Sequence, residues 1–539
     1  MYELITPASS RIQCGFGVQS AFTDASLAAF GVAFGVEFIL GAGPGSLPSI
    51  PLVLIGEATE GLLKHGGSRR AFLAPAEATS RGEEIDRIEI CGEVPGKPWL
   101  RHQTLKLPKA MRVEPLQLRS GAEVLGRSKA GPVWVREVVG GAFVDRVALP
   151  LPVLAPDRPV FEWFNSNTFP QLLPLLQFVR EVTGEHRWNA TRKACFMFDD
   201  PNLHAQSYGF IRYRELASRA RESRYHVSFA TVPLDAWFVS SRAAALFREN
   251  KAQLSLLIHG NDHLSNELAR DFTENERLAL LGQALRRVRQ LEVRSGVEVC
   301  RVMAAPHGAC RENMMRDMAR SGFEAACISH GSLEYHNRKC SWSRTVGNQP
   351  AEIIAGLPII PRFPISADIL QKVLFAAYLD QPIVPMGHHQ DVAGGLDVLD
   401  RLAEQINSLG GVQWTCMSEI AKTHFQWRMD AETLVVRPCS RLARISVPGG
   451  AARIRVELPP HSGFDPIQYT LVGESGARRD LDATGSATVS VGETVYLKPA
   501  SQEDADLSGT PLPRLKCWPI LRRVASEVRD RARPWLLRS

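Results

Sequence analysis

Between about residues 190 and 425, short apolar runs alternate with amphipathic segments, and this alternation limits the possible folds more than any other feature. The runs have the length of strands, and the segments between them have the apolar spacing of helices. Such alternation predicts a parallel sheet, either closed as a barrel or open and covered on both faces, with the active site at the carboxyl ends of the strands. The predicted strands are 194–198, 227–231, 254–258, 299–304, 324–328, 382–386 and 412–415, and the predicted helices are 213–223, 242–250, 274–294, 312–321, 367–379 and 395–409.

The regions on either side of this segment have a different character. Residues 1–185 are rich in glycine and proline and predict an α+β or mainly β domain of unknown role. Residues 430–505 alternate apolar and turn residues, which predicts a small β-sandwich. In the first region we predict a strand at 50–56, a hairpin of 132–136 and 143–149 around Gly140-Gly141, and a helix at 169–182.

The last segment, 511–539, is a basic amphipathic tail. It carries eight basic and two acidic residues, so it accounts for the whole formal charge of +6 and leaves the rest of the chain neutral. A neutral body argues against a nucleic-acid-binding protein. The tail could bind anionic lipid, a partner protein or the predicted sandwich. Its apolar residues, which share one face of a predicted helix, are Trp518, Ile520, Leu521, Val524 and Val528.

Cysteine usage and the chain start predict a cytoplasmic protein, with peripheral contact at the inner membrane left open. None of the ten cysteines forms a Cys-x-x-Cys pair, and several lie in apolar runs, which is typical of reduced core thiols. The first residues show no basic cap followed by an apolar core, so no secretory signal is predicted. The apolar stretch 28–47 contains Glu37 and several glycines and prolines, which makes it a poor membrane span.

The first candidate site follows the predicted strand 194–198, which ends in Asp199 and Asp200. Burying an unpaired carboxylate costs on the order of several kcal/mol. These two carboxylates must therefore stay hydrated, be neutralised or bind a cation. A wet loop end or a helix N-cap would also explain them.

The second candidate site is His259 and His263, which follow the predicted strand 254–258. If residues 259–263 begin a helical turn, positions i and i+4 project from one side. Two imidazoles and one carboxylate would leave coordination positions open for water and substrate, as in catalytic metal sites. Capping or core histidines are the alternative.

Histidines follow two further predicted strands. His307 lies in an Ala-Ala-Pro-His-Gly segment after strand 299–304, and His388 and His389 follow strand 382–386. This recurrence at strand ends favours a functional site over packing.

These four elements, over residues of about 190–425, resemble the polysaccharide deacetylase family of carbohydrate esterases, whose members carry the NodB homology domain. That family shows an apolar strand ending in Phe-Asp-Asp, a His-x-x-x-His, an arginine-containing segment ending in Pro-aromatic-Gly, and a late Leu-x-His. The resemblance implies a distorted (β/α) barrel and a divalent metal, commonly zinc. It also implies these roles: Asp200, His259 and His263 as metal ligands, Asp199 as general base, His388 as general acid with His389 as the fallback, and the backbone N–H of His307 as an oxyanion donor.

The chain departs from the family pattern at four positions. The arginine that normally orients the base is replaced by Ala304, for which Arg301 and Arg362 are candidate substitutes. The other replacements are Pro201 for glycine, Gly260 for serine or threonine, and His307 for the aromatic residue.

The resemblance therefore implies a metal-dependent amide hydrolase. We expect it to remove an N-acetyl group from a sugar or polysaccharide precursor in envelope or exopolysaccharide synthesis, although related domains open cyclic amides or remove formyl groups. The alternative is a non-catalytic carbohydrate-binding or assembly protein on a degenerate barrel, docked by the sandwich and tail to a membrane-bound machine. The sequence leaves the oligomeric state open.

Overall fold

The fold is that of a computed structural model in which two compact units are distinguished. They are Met1–Asn189 with Arg344–Asn348, and Ala190–Ser343 with Gln349–Ser539. No helix among the described residues is long and apolar enough to cross a membrane. The structure describes residues 10–16, 26, 31, 36–40, 51–55, 70–155, 158–458, 469–500, 504–507 and 517–536.

The first unit is built on a nine-stranded mixed sheet, in which β2-β1-β3-β4-β9 are parallel and β9-β8-β7-β5-β6 are antiparallel neighbours. The predicted hairpin around Gly140-Gly141 is confirmed as β8 and β9, and the helix predicted at 169–182 is also confirmed. The elements are β1 (Ser10–Phe16), β2 (Val36–Leu40), β3 (Leu52–Ile55), β4 (Arg70–Ala74), β5 (Glu83–Ile90), β6 (Thr104–Val113), β7 (Glu123–Ser128), β8 (Gly131–Val139), β9 (Ala142–Val147), α1 (Val160–Trp163) and α2 (Phe169–Val182).

The second unit begins with alternating strands and helices, as the sequence predicts. Its strands are β10 (Asn189–Ala190, at the unit boundary), β11 (Lys193–Ala194), β12 (Phe196–Asp199), β13 (Ser207–Tyr208), β14 (Ile211–Arg212), β15 (Val227–Thr231), β16 (Leu254–Ile258), β17 (Val299–Ala304), β18 (Ala325–Cys327), β19 (Glu352–Ile354), β20 (Leu357–Ile360), β21 (Phe363–Pro364), β22 (Pro385–Gly387) and β23 (Gln413–Trp414). Its helices here are α3 (Tyr213–Glu222), α4 (Ser241–Glu249), α5 (Glu274–Ser295), α6 (Glu312–Arg320), α7 (His330–His336), α8 (Ile369–Tyr378), α9 (Asp397–Asn407) and α10 (Met417–Thr423).

The central sheet has the order β19-β20-β18-β17-β16-β15-β12-β22-β21 and is parallel except for β19. β20 and β21 lie seven strand spacings apart in this order, which would be about 34 Å in a flat sheet. Only Pro361 and Arg362 separate them along the chain, and that link spans at most about 11 Å. The sheet therefore curls until its two ends meet, which agrees with the predicted distorted (β/α) barrel.

The two faces of the barrel strands contact different partners because successive side chains alternate in direction. On one face, Met197, Ala230 and Leu257 belong to a buried cluster that also contains Ile420 of α10. On the other, Phe229 of β15 packs against Tyr213 of α3, with ring centroids 5.4 Å apart. Burial on both faces explains why these strands read as continuous apolar runs.

The sequence analysis missed β19 and the stretch that forms β20 and β21, all of which belong to the central sheet. Three prolines, Pro358, Pro361 and Pro364, interrupt this stretch, and proline normally argues against an interior strand because it cannot donate to the ladder. By contrast, the predicted strands 227–231, 254–258 and 299–304 match β15, β16 and β17 at both ends.

After the barrel come two small sheets and a final helix. One sheet joins β24, β25, β27 and β30 in that order, the other joins β26, β31, β28 and β29, and one hydrophobic cluster receives side chains from both. The bounds are β24 (Phe425–Asp430), β25 (Thr433–Pro438), β26 (Ala443–Ser446), β27 (Arg453–Val456), β28 (Tyr469–Gly473), β29 (Arg478–Arg479), β30 (Ser486–Thr488), β31 (Thr494–Pro499) and α11 (Cys517–Leu536).

Candidate active site

A cavity of about 670 Å³ opens where the barrel strands end. The β12 strand ends at Asp199, and β16 and β17 end just before His259 and Ala305. Parallel strands bring their carboxyl ends to one edge, so residues distant in sequence meet there. The cavity is lined by all seven residues that the sequence analysis selected: Asp199, Asp200, His259, His263, His307, His388 and His389.

Three of these residues can hold a metal ion. One ligand atom from each of Asp200, His259 and His263 lies within 4.8 Å of the others. Nε2 of His263 is 3.5 Å from Oδ1 of Asp200. A tetrahedral ion with bonds of about 2.1 Å holds its ligand atoms about 3.4 Å apart, so the side chains fit a divalent cation.

The hydrogen bond of His259 and the low pKa of His263 both suit metal binding. Nδ1–H of His259 donates to the carbonyl oxygen of Ala304 at 2.9 Å, which leaves the Nε2 lone pair for a metal. Burial, followed by the neighbouring charge of His259, lowers the pKa of His263 to about 3. His263 is therefore neutral at physiological pH, as a ligand must be.

Residues 259–263 do not begin the helical turn considered from the sequence; the segment forms a bend instead. The Glu267 carboxylate accepts hydrogen bonds from the backbone N–H groups of Asn261, Asp262 and His263 at 2.8, 2.8 and 3.2 Å. Successive N–H groups that converge on one anion form a nest, which replaces the helical hydrogen bonds. Gly260 takes a φ of +64°, and a Cβ there would lie 2.4 Å from Oε2 of Glu267, which explains the glycine at this position.

Asp199 is buried and paired with Arg362. Nη1 of Arg362 donates to both carboxylate oxygens, at 2.9 and 3.0 Å, and Nη2 donates to the carbonyl oxygen of Ala305 at 3.0 Å. Burial raises the pKa of Asp199, but the charge of Arg362, with those of two histidines, offsets this and leaves the pKa below its ordinary value. Arg362 thus orients Asp199 in place of the arginine absent at Ala304. The other candidate, Arg301, instead pairs with Glu292 at 2.9 Å.

The remaining histidines differ in accessibility. His388 is exposed in the cavity, and its backbone N–H donates to Asp391 at 2.7 Å. His389 is buried, with Nε2 3.6 Å from Oδ1 of Asp530. The ring of His307 is exposed in the cavity, 5.1 Å between centroids from that of His263.

The final helix forms part of the site. Nη1 of Arg523 donates to Oδ1 of Asp200 at 3.2 Å, and its Nη2 donates to the Asp200 carbonyl oxygen at 2.6 Å. Arg522 donates to the carbonyl oxygen of His263. The helix thus packs on the barrel, which was not among the binding surfaces that the sequence suggested for the tail. Its predicted apolar face remains exposed at Trp518 (69%) and Leu521 (62%).

The sequence analysis missed Asp235, Glu267, Arg522 and Arg523. Asp235 lies shortly after the end of β15, so the strand-end rule that selected the histidines could have found it. The arginines carry no such signal, because arginine on a tail helix is normally solvent-exposed.

Comparisons with known proteins give structural neighbours only. No family model and no curated protein sequence matches this chain. Among the structural neighbours are carbohydrate deacetylases and esterases, and the three named below are each under 25% identical with a TM-score under 0.5. They are the carbohydrate deacetylase Agd3 (10% identity, 91% of this chain and 99% of that chain, TM-score 0.47), a proposed polysaccharide deacetylase from Mycobacterium smegmatis (16%, 43% and 89%, 0.31) and a family 4 carbohydrate esterase from Streptomyces lividans in complex with acetate (13%, 43% and 95%, 0.27).

Proposed function

We propose that this chain is a metal-dependent hydrolase that removes an N-acetyl group from a sugar or polysaccharide precursor. The observation that carries the proposal is the convergence of Asp200, His259 and His263, with the carboxylate of Asp199 beside them and separately paired with Arg362. The sugar substrate, and the role in envelope or exopolysaccharide synthesis, rest on the motif resemblance alone.

Asp200, His259 and His263 would hold the cation, and two imidazoles with one carboxylate form a donor set that suits zinc. When bound, such a cation lowers the pKa of water from about 16 to about 7 and polarises a carbonyl group.

Asp199 would act as the general base. Its lowered pKa keeps it ionised at neutral pH, and the hydrogen bonds from Arg362 fix the direction of its lone pairs. It would accept a proton from the attacking water, a contribution worth about 10²–10⁴-fold in rate for a well-placed base.

His388 would act as the general acid. Its exposed imidazole lines the cavity and is free to approach the leaving nitrogen, which must gain a proton because an amide anion leaves poorly. His389, buried beside Asp530, is less suited to this role. The backbone N–H of His307 would donate to the oxyanion that forms as the carbonyl is attacked.

The replacement of the orienting arginine by Ala304 is a reason to consider the non-catalytic alternative. The Arg362–Asp199 pair weakens that reason, because Arg362, in the link between β20 and β21, pairs with Asp199 in place of an arginine at position 304. A carbohydrate-binding protein would not need an aspartate and an arginine buried together beside three metal-ligand side chains.

The proposal is tested by metal analysis of the purified protein, followed by an assay of acetate release from N-acetylated oligosaccharides with and without a chelator. We expect about one zinc ion per chain and acetate release that the chelator abolishes and added zinc restores. Protein that binds no divalent metal, or acetate release that is insensitive to chelation, would refute it.

A further inference from the structure

Two consecutive arginines of α11 each bind the main chain of a candidate metal ligand. Nη2 of Arg523 donates to the carbonyl oxygen of Asp200, and Nη1 of Arg522 donates to the carbonyl oxygen of His263. One helix therefore reaches both of the loops that supply ligands after β12 and β16.

Both of these ligand residues have a left-handed backbone, with φ of +83° at Asp200 and +55° at His263. Residues other than glycine adopt this conformation at a cost and keep it only where the surroundings fix it. A hydrogen bond to the carbonyl oxygen of each residue holds the peptide plane that follows it. The two arginines thus restrain the conformation that points the ligand side chains into the cavity.

Arg523 is itself held rigidly. It is buried, and its Nε and Nη2 donate to the Asp235 carboxylate at 3.0 and 2.7 Å. Asp235 is also buried and accepts a further bond from Nδ2 of Asn202 at 3.1 Å. Because these bonds fix the guanidinium of Arg523, its own hydrogen bonds can hold Asp200 in one orientation, as supporting residues around metal sites do.

The helix is anchored at further points along the same face. Glu527 lies 2.8 Å from Nδ1 of His204, and Tyr208 donates to Asp530 at 3.2 Å. Pro519, Arg522 and Ser526 line the cavity on this face, so the helix forms one wall of the site.

We propose that Arg522 and Arg523 are positioning residues of the metal centre, and that α11 is required for the chain to bind its cation tightly. This inference rests on the proposed metal-dependent function. Its opposite is that Arg523 neutralises Asp200 in place of a cation and competes with metal binding. The two ideas predict changes of opposite sign in metal affinity when the guanidinium is removed.

The experiment measures the Zn²⁺ dissociation constant of the full-length chain by competition with a chromophoric chelator. Arg523→Ala and Arg522→Ala are compared with Arg533→Ala, an arginine of the same helix for which the structure shows no contact with the ligand residues. We expect Arg523→Ala to weaken Zn²⁺ binding by about 10- to 100-fold, the usual effect of removing a supporting residue. Arg522→Ala should weaken it less, and Arg533→Ala should have no effect.

Two further measurements separate positioning from general destabilisation. Co²⁺ substituted for Zn²⁺ gives a visible absorption spectrum that reports ligand geometry. We expect this spectrum to change in Arg523→Ala and in Arg522→Ala, but not in Arg533→Ala, while circular dichroism stays the same in all three. Arg523→Lys keeps the positive charge but loses the planar guanidinium that donates to several acceptors at once. Its Zn²⁺ affinity should therefore lie between that of Arg523→Ala and that of the unaltered protein. If Arg523→Ala fails to fold, Arg522→Ala still provides the test, because Arg522 is only half-buried.

An unchanged or tighter Zn²⁺ constant in folded Arg523→Ala, or in Arg522→Ala if only that variant folds, would overturn the inference. If the unaltered protein binds no divalent metal, the proposed function fails instead, and the two failures are therefore distinguishable.

Discussion

Arg362 binds both carboxylate oxygens of Asp199, although the two residues lie 163 positions apart in the chain. The contact forms because Arg362 occupies the link between β20 and β21, where the two ends of the curled sheet meet. The orientation of the proposed base thus depends on how the barrel closes.

Arg362→Gln should lower kcat/KM for acetate release by about 10²-fold, within the range of general-base effects. The charge of Arg362 holds the pKa of Asp199 down against burial, so its removal should move the acidic limb of the pH profile to higher pH. Arg301→Gln, on β17 and paired with Glu292, is the control and should leave the profile unchanged. An unshifted acidic limb in Arg362→Gln would argue against this role.

Asp199→Asn should abolish turnover while zinc content stays the same. The amide keeps the shape of the side chain and can still accept a hydrogen bond from Arg362, but it cannot take a proton. The loss should be about 10²–10⁴-fold, measured as acetate release alongside metal analysis of the same preparation. Full activity in this variant would end the assignment of Asp199 as the base.

His263→Ala should remove the metal together with the activity. With one of three ligands absent, the remaining two side chains cannot hold a divalent ion tightly. Zinc per chain, measured after dialysis, checks this, and His336→Ala at the end of α7 is a control outside the site. Retention of one tightly bound zinc in His263→Ala would show that the ligands have been misassigned.

Docking of α11 should depend on pH through the His204–Glu527 pair. Burial lowers the pKa of His204, but the hydrogen bonds that its ring donates to the Glu527 carboxylate and to the Asp235 carbonyl oxygen outweigh burial, and the pKa ends above 6.5. Its contribution is therefore complete below pH 6.5 and lost as the pH rises through the raised value. For Glu527, burial raises the pKa, but His204 and Arg531 bring it down to about 2, so its contribution is present above pH 4.5 and lost toward pH 2.

Both contributions are complete between pH 4.5 and 6.5. Hydrogen exchange of residues 517–536 should accordingly be slower relative to the rest of the barrel at pH 6 than at pH 9, once corrected for the intrinsic exchange rate. His204→Gln should remove most of this difference. The same pH dependence in the variant would show that other groups control docking.

Gly260→Ser, which restores the residue type usual in the resembling family, should destabilise the turn. The positive φ alone costs about 1–3 kcal/mol for a residue with a side chain, and the new Cβ would meet Glu267 and Pro306. We expect a lower Tm and weaker zinc binding, measured by thermal unfolding and chelator competition. Gly394→Ser is the matched control, since a Cβ there has no neighbour within 4 Å and its φ is not positive.

Most of the barrel strands and helices, and the proposed ligands, could be predicted from local sequence patterns. Strand length, helical spacing and polar residues at strand ends are all visible within short segments of the sequence. The strand formed by β20 and β21 was missed because its prolines resemble a loop, and Arg362 was therefore only one of two candidates. The position of α11 was also missed. Amphipathic helices usually bury their apolar face, whereas this one turns Arg523 and Asp530 inward and leaves Trp518 exposed.

The position of α11 also affects where the chain can be shortened. Arg523 donates a hydrogen bond to Asp200 across 323 residues of sequence. A boundary drawn after the barrel, or after the two small sheets, would therefore separate the proposed ligand from this arginine. A shortened chain that keeps this contact must therefore extend into the helix Cys517–Leu536, well past the last small sheet.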